Sequence, residues 1–386
     1  MTESAALTRW LLVRGPHFAS PLPFLEAYAE ELRAAGLQVM RLTLTLSQIH
    51  PVFRAVTYEW LLGTPAREIP RRRDQMNSRA YLHSPIALAL RSGRPVRRRL
   101  TDPDAELDFP VLEELRDIGV TDYYVIPLDV GRAQEGGLIT YNADASDGFS
   151  AEQMAVLDAL TPALAAVGQV HAGRLSIRAL MATYVGREPA ERILAGEVVQ
   201  GVGHTVRAIV WWCDLRGFTR LSEVLPRDDI MELLDVFFSA TVESVDEAGG
   251  EVLKFMGDGV LAIFRCNDGD GDAAARALGA AHALIARLAA LNIDVARAEK
   301  AKLHCGVALH LGPVMYGNIG APERLDFTVI GPTVNQASRL AQLCGPLDEP
   351  IVLSAEAAEA AGREMRPLGR FGFKGLDSER EAFAPA

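Results

Sequence analysis

The chain has 386 residues, 49% of them hydrophobic and 23% charged, a composition that predicts a globular protein of two or three domains. Its net charge of −11 argues against a general nucleic-acid or membrane-surface binder. No apolar run approaches the ~20 residues of a membrane helix, and the opening MTESAALTRWLLVRGPHF carries an acidic residue and an interrupted apolar run, unlike a signal peptide. Cys213, Cys266, Cys305 and Cys344 are scattered without CxxC spacing, so reduced thiols in a cytoplasmic protein are expected.

In chain order, PLPFLEAYAEELRAAG (21–36) has helical periodicity and a glycine suited to close the helix. LQVMRLTLTL alternates as a half-buried strand does, and PVFRAVTYEWL, DYYVIPLDV and GGLITYN are further strands. Two arginine triplets, 71–73 and 97–99, read first as solvated faces and second as a pocket for an anionic effector. GFSAEQ carries Ser150 as N-cap with Gln153 three residues on, a capping box that opens a long helix. Helix, strands and a closing helix together resemble a GAF-type sensory domain of α/β class over residues 1–170, with an unidentified small-molecule effector implied. Residues 171–204 start helical and break near Gly186 and Pro189, a connector.

From Val206 the texture changes. VRAIVWWC is a nearly continuous apolar run, a strand buried on both faces. Ile230, Leu233, Leu234, Phe237, Phe238, Thr241, Val242 and Val245 follow at helical spacing, with Asp228 and Asp229 at the positive end of that helix. Then come a hairpin, KFMGDGVLAIF, an alanine-rich helix, and LHCGVALHLGPVMYGNIG, read as a second hairpin. This order predicts an α+β sheet with helices on one face.

Several side chains in this half can carry chemistry. Asp214 ends the buried strand, where a carboxylate is costly unless paired, metal-bound or used as a helix cap. Gly217 permits a turn that aims the Phe218 and Thr219 amides at whatever Asp214 holds. Asp258 tips the hairpin between Gly257 and Gly259; alone it is an ordinary turn residue, but with Asp214 it makes a pair of hard oxygen donors suited to magnesium or manganese. Lys254, four residues earlier, is a cation the turn does not need. Asn335 and Arg339 project from one helical face, either a polar stripe or a clamp for ribose and phosphate. His304, Cys305 and His310 do not converge by strand parity, so zinc is not expected.

The blocks DLRGFTRLSE, GGEVLKFMGDGVLAIF, GVALHLGPVMYGNIG and DFTVIGPTVNQASRLAQLC, in this order, resemble the catalytic domain of class III nucleotide cyclases, of ferredoxin-like or palm type, over residues 205–386. The resemblance implies two divalent metal ions on Asp214 and Asp258 and adenine read by Lys254 and Thr328. It further implies ribose orientation by Asn335, transition-state stabilisation by Arg339 and a triphosphate contact from Lys374. It implies the conversion of ATP to 3′,5′-cyclic AMP and pyrophosphate at sites shared by two copies of the chain, under control of the N-terminal domain. A guanylate or promiscuous purine cyclase is the second reading, and a non-catalytic nucleotide-binding or dimerisation module the third. The general base stays open between Asp214, a metal-bound hydroxide and solvent.

Overall fold

The computed structural model describes residues 3–102, 107–130, 136–201, 203–297, 302–373 and 379–386. By contact it divides into two units, Met1–Thr183 and Tyr184–Ala386.

The first unit opens with α1 (Glu3–Arg14) and α2 (Pro21–Ala34). α2 begins on proline, whose missing N–H costs nothing in a first turn, and ends where the Gly36 and Leu37 amides take the Arg33 and Leu32 carbonyls. Next come β1 (Val39–Ser47), β2 (Phe53–Leu61), β3 (Thr64–Arg72), α3 (Arg79–Leu82) and α4 (Pro85–Ser92). β4 (Val96–Arg99), α5 (Pro110–Asp117), β5 (Asp122–Leu128), β6 (Gly137–Ala143) and α6 (Ala151–Val185) complete the series. The strands form one sheet in the order β3-β2-β1-β6-β5-β4, and every ladder is antiparallel. The expected α/β class is corrected accordingly to α+β, because no parallel crossover joins neighbouring strands.

Alternation decides the two faces of this sheet. Leu42, Leu44 and Leu46 of β1 pack with Phe24 and Tyr28 of α2 and with Leu157 and Leu164 of α6. Val125 and Leu138 pack on the other side with Ala89, Leu112 and Leu115 of α4 and α5. The capping box forms as expected: Ser150 N–H donates to Gln153 Oε1 (2.9 Å) and Gln153 N–H to Ser150 Oγ (3.2 Å).

The arginine triplets sit at the two edge strands, β3 and β4, where charge discourages pairing with another chain. Solvation is not the fate of all of them. Arg97 pairs with Asp122, which is fully buried and also accepts the Phe149 amide. Arg98 pairs with Asp108, and Arg99 donates to the Asp147 carbonyl.

α6 runs through residue 170, the boundary expected from sequence, and His171 and Ala172 are buried in the first unit, His171 Nε2 lying 3.0 Å from the Gly15 carbonyl oxygen. The break comes at Gly186 (φ 92°); Pro189 lies in the first turn of α7 (Arg187–Leu194), where its missing N–H removes no helical bond.

The second unit continues with β7 (Gly203–Leu215), α8 (Phe218–Val224), α9 (Arg227–Glu247), β8 (Glu251–Met256), β9 (Gly259–Arg265) and α10 (Asp270–Arg297). Then follow β10 (Cys305–Ala321), β11 (Arg324–Ile330), α11 (Pro332–Ala341), β12 (Ile351–Ser354), α12 (Ala355–Ala361), β13 (Met365–Phe371) and β14 (Arg380–Pro385). The sheet order is β13-β14-β12-β10-β7-β9-β8, with β11 on the far half of β10. Within it β7, α9, β8, β9, α10 and β10 make a βαββαβ unit.

Two expectations for this unit change. The stretch read as a second hairpin is one long strand, because β7 pairs with β10 straight through Gly312 and Pro313. Those residues serve packing instead of turning: a Cβ at Gly312 would sit 2.7 Å from Thr333 Oγ1, and that hydroxyl donates to the Pro313 carbonyl. Helices also cover both faces. α9, α10 and α12 pack on Ile209, Trp211 and Cys213, while α11 packs on the face of Ala208 and Val210. By length and composition α6 and α10 could each cross a membrane, contrary to the expectation from apolar runs; each puts one face into a core.

Candidate active site

The centre of the second sheet sets the site. Trp212 and Asp214 share strand parity with Ala208 and Val210, so they belong to the face on which α11 packs. Asp214 lies opposite Gly259 on one side and Gly306 on the other. Gly259 is required by proximity: a Cβ there would collide with Asp214 Oδ1. The Asp258 carbonyl accepts the Leu215 amide at 3.3 Å, which draws the hairpin tip up to the end of β7. The two aspartates predicted as metal ligands are thereby neighbours.

Their surroundings leave both carboxylates available. Trp212 Nε1 donates to Asp214 Oδ2 at 3.0 Å; among the described residues Asp214 Oδ1 and the Asp258 side chain have no hydrogen-bond or ion-pair partner. Burial raises the Asp214 carboxyl above the ordinary range; the Trp212 hydrogen bond opposes this and the Asp258 charge adds to it. Two adjacent acids with free oxygens and, among the described residues, no neutralising cation fit a divalent metal completed by water and phosphate oxygens. No third His, Cys, Asp or Glu joins them among the described residues.

The loop after β7 is pinned. Arg216 donates to the Cys344 carbonyl (2.6 Å) and the Glu349 carbonyl and pairs with Asp348 (3.2 Å), while its amide takes the His304 carbonyl (2.7 Å). Sequence reading passed over this arginine, because its acceptors are main-chain groups far along the chain. α8 then opens at Phe218 behind Gly217, and its first amides lack intrahelical acceptors. The Phe218 ring packs on the core and Thr219 is exposed.

Lys254 does not pair with Asp258. Its Nζ lies 2.5 Å from Asp326 Oδ2 on β11. Asp326 and Thr328 alternate onto one face of that strand, so the contact brings Lys254 to the face that carries Thr328. The Thr328 hydroxyl is buried and has no partner among the described residues, an arrangement costly enough to ask for an explanation. Asp326 is the partner that sequence reading missed; its i, i+2 spacing from Thr328 was the available signal. Asn335 and Arg339 lie on α11, Asn335 exposed and Arg339 half-buried, neither with a side-chain partner among the described residues. Lys374 lies outside the described residues. Of the residues set aside as non-ligands, His310 is buried with Nδ1 2.8 Å from Ser354 Oγ, and all four cysteines are free thiols.

The structure thus builds three groups: a carboxylate pair, a lysine brought to an orphan threonine hydroxyl, and an amide with a guanidinium on one helix. Residues 204–378 match the model of the adenylate and guanylate cyclase catalytic domain. An uncharacterised protein of Mycobacterium tuberculosis is 36% identical over 200 residues, covering 51% of this chain and 35% of that one. An adenylate cyclase of Anabaena cylindrica is 33% identical over 147 residues, covering 36% of this chain and 28% of that one. The aligned region thus covers about a third of the length of these relatives. Among solved structures, the adenylyl cyclase CyaB of P. aeruginosa aligns with a TM-score of 0.44 and 26% identity over 47% of this chain and 94% of that one. By family model and by sequence, residues 204–378 of this chain thus resemble the catalytic domain of adenylate and guanylate cyclases.

Proposed function

We propose that the chain is an adenylate cyclase, forming 3′,5′-cyclic AMP and pyrophosphate from ATP. The observation that carries the base assignment is Lys254, brought by Asp326 to the strand face where the Thr328 hydroxyl is buried without a partner. An ammonium donates to adenine N1, a bare acceptor, whereas guanine N1 bears a proton and repels it. The Thr328 hydroxyl accepts from the adenine amino group, which ends its isolation; because it also donates, some GTP turnover is expected beside the main activity.

Asp214 and Asp258 would hold two divalent cations, magnesium or manganese, whose chemistry when bound is to lower the pKa of the ribose 3′-hydroxyl and to neutralise the triphosphate. Asn335 orients the ribose. Arg339 supplies a fixed positive charge where negative charge develops at the α-phosphorus. The Phe218 and Thr219 amides and Lys374 receive phosphate oxygens. Carboxylates and Arg339 would act across a homodimer in two equivalent sites; the exposed Val224, Met231, Phe255, Met315 and Ile330 support such an interface. The first unit is proposed as a GAF-like regulatory domain in a cytoplasmic protein, a reading supported by its six-stranded antiparallel sheet between two helical layers.

The test is product analysis of the purified chain with manganese-ATP and manganese-GTP. Cyclic AMP as the main product is expected; cyclic GMP in excess favours the guanylate reading, and nucleotide binding without product favours a non-catalytic module. Lys254→Ala should lower kcat/KM for ATP by about 10²-fold and spare GTP, since only adenine loses a donor. An unchanged ATP to GTP ratio would remove Lys254 from base reading.

A further inference from the structure

The arginines at β4 are taken up by acceptors within the fold. At β3, Arg67 shares Glu59 with Arg41, Arg72 pairs with Asp74 and Arg73 donates to the His50 carbonyl, while Arg71 has neither a carboxylate nor a carbonyl acceptor among the described residues. On the sheet face away from α1, α2 and α6, the register sets Glu59 opposite Arg67, Thr57 opposite Thr45, and Arg71 opposite Ala55, with Arg41 two residues along β1 from the partner of Glu59. Directly opposed residues share a face, so Arg41, Arg67 and Arg71 gather around a single carboxylate.

Glu59 is buried and already shared: Oε2 takes Arg41 (Nε 2.8 Å) and Oε1 takes Arg67 (Nε 2.6 Å). Arg71 donates Nε–H to Thr57 Oγ1 at 3.0 Å and has no carboxylate partner among the described residues. Three guanidiniums against one carboxylate leave an excess of two positive charges on this face. Burial lowers the Arg71 pKa, Glu59 opposes the shift, and Arg41 and Arg67 add to it. In a chain of net charge −11, gathering like charges on a half-buried face is costly unless an anion offsets them.

We propose that this face binds a small ligand bearing an oxyanion, a phosphate ester or a polycarboxylate. Arg71 anchors it through its two Nη groups, which have no partner among the described residues, in the forked geometry that suits two oxygens, and Arg41 and Arg67 supply the field. A small ligand fits better than a membrane or a nucleic acid. Arg41 lies along the sheet with only 20% of its side chain exposed, instead of reaching out to a flat polyanion. Binding stands independently of the cyclase reading.

The test is isothermal titration of the full chain with sodium phosphate and, separately, sodium citrate, at ionic strength held constant with chloride. Saturable binding of either anion is expected: phosphate alone indicates a phosphate ester, citrate alone a polycarboxylate. Arg71→Gln should weaken binding at least about tenfold. Arg71→Lys, which keeps the charge and the fold but loses the fork, should fall between. Arg339→Gln, in the other unit, should leave binding unchanged and so separates this site from the nucleotide site. No saturable binding of either anion, or equal affinity in the wild type and both Arg71 variants, overturns the proposal, whatever the cyclase assay gives.

Discussion

Asp258→Asn should lower cyclic-nucleotide formation by about 10³-fold while the protein stays folded. If the two carboxylates hold metal as proposed, loss of one forfeits several kcal/mol of charge stabilisation in the transition state, and each 1.36 kcal/mol is tenfold in rate. The fold should not suffer, because the Asp258 side chain makes no hydrogen bond or ion pair among the described residues. Asp214→Asn should be equally inactive and somewhat more stable. The Asp214 carboxyl, raised by burial, binds its proton more tightly folded than unfolded. Ionising it therefore costs stability as pH rises from the ordinary carboxylate range through its raised value, and that cost persists at neutral pH. Asparagine removes it. Rate assays, thermal melts without metal, and manganese binding followed by electron paramagnetic resonance check these outcomes. Near-normal turnover in either variant would take the carboxylates out of the site.

Arg97→Ala should destabilise the first unit by about 3–5 kcal/mol, the usual cost of leaving a buried charge without its partner. Asp122 is wholly buried and receives Arg97 Nη2 at 2.5 Å, and the same nitrogen reaches the Phe149 carbonyl at 2.7 Å. One guanidinium thus ties β4 to β5 and to the turn before α6. Arg98→Ala, which removes a partly exposed pair with Asp108, should cost no more than about 1 kcal/mol. Urea unfolding followed by fluorescence separates the two. Equal, small shifts would show that Asp122 does not depend on Arg97.

The difference between these arginines marks where sequence reading stops. A triplet at a strand edge announces charge; which member meets a buried acid depends on a partner 25 residues away. β3 escaped notice because Pro65 and Pro70 argue against a strand, yet an edge strand tolerates them. Gly312-Pro313 carries a turn signal, but a long ladder with β7 overrides it. By contrast β7 was legible as an apolar run that ends in a carboxylate, since a central strand buried on both faces leaves no room for alternation. α9 was legible by its period. The carboxylate pair could be inferred because both acids sit where strands end. Lys254 was conspicuous as a cation without local purpose; Asp326, its partner 72 residues on, shares a strand face with Thr328, but its pairing with Lys254 depends on a contact between distant strands.

Lys254 and Asp258 share a hairpin, yet on this account they serve opposite sites of a dimer. The most direct test mixes Asp258→Ala protein with Arg339→Ala protein under conditions of proven subunit exchange. Each variant alone should be nearly inactive. The mixture should regain about a quarter of the wild-type rate, because half the dimers are mixed and each mixed dimer has one intact site of two. No recovery in the exchanged mixture would contradict a catalytic site shared between two copies of the chain.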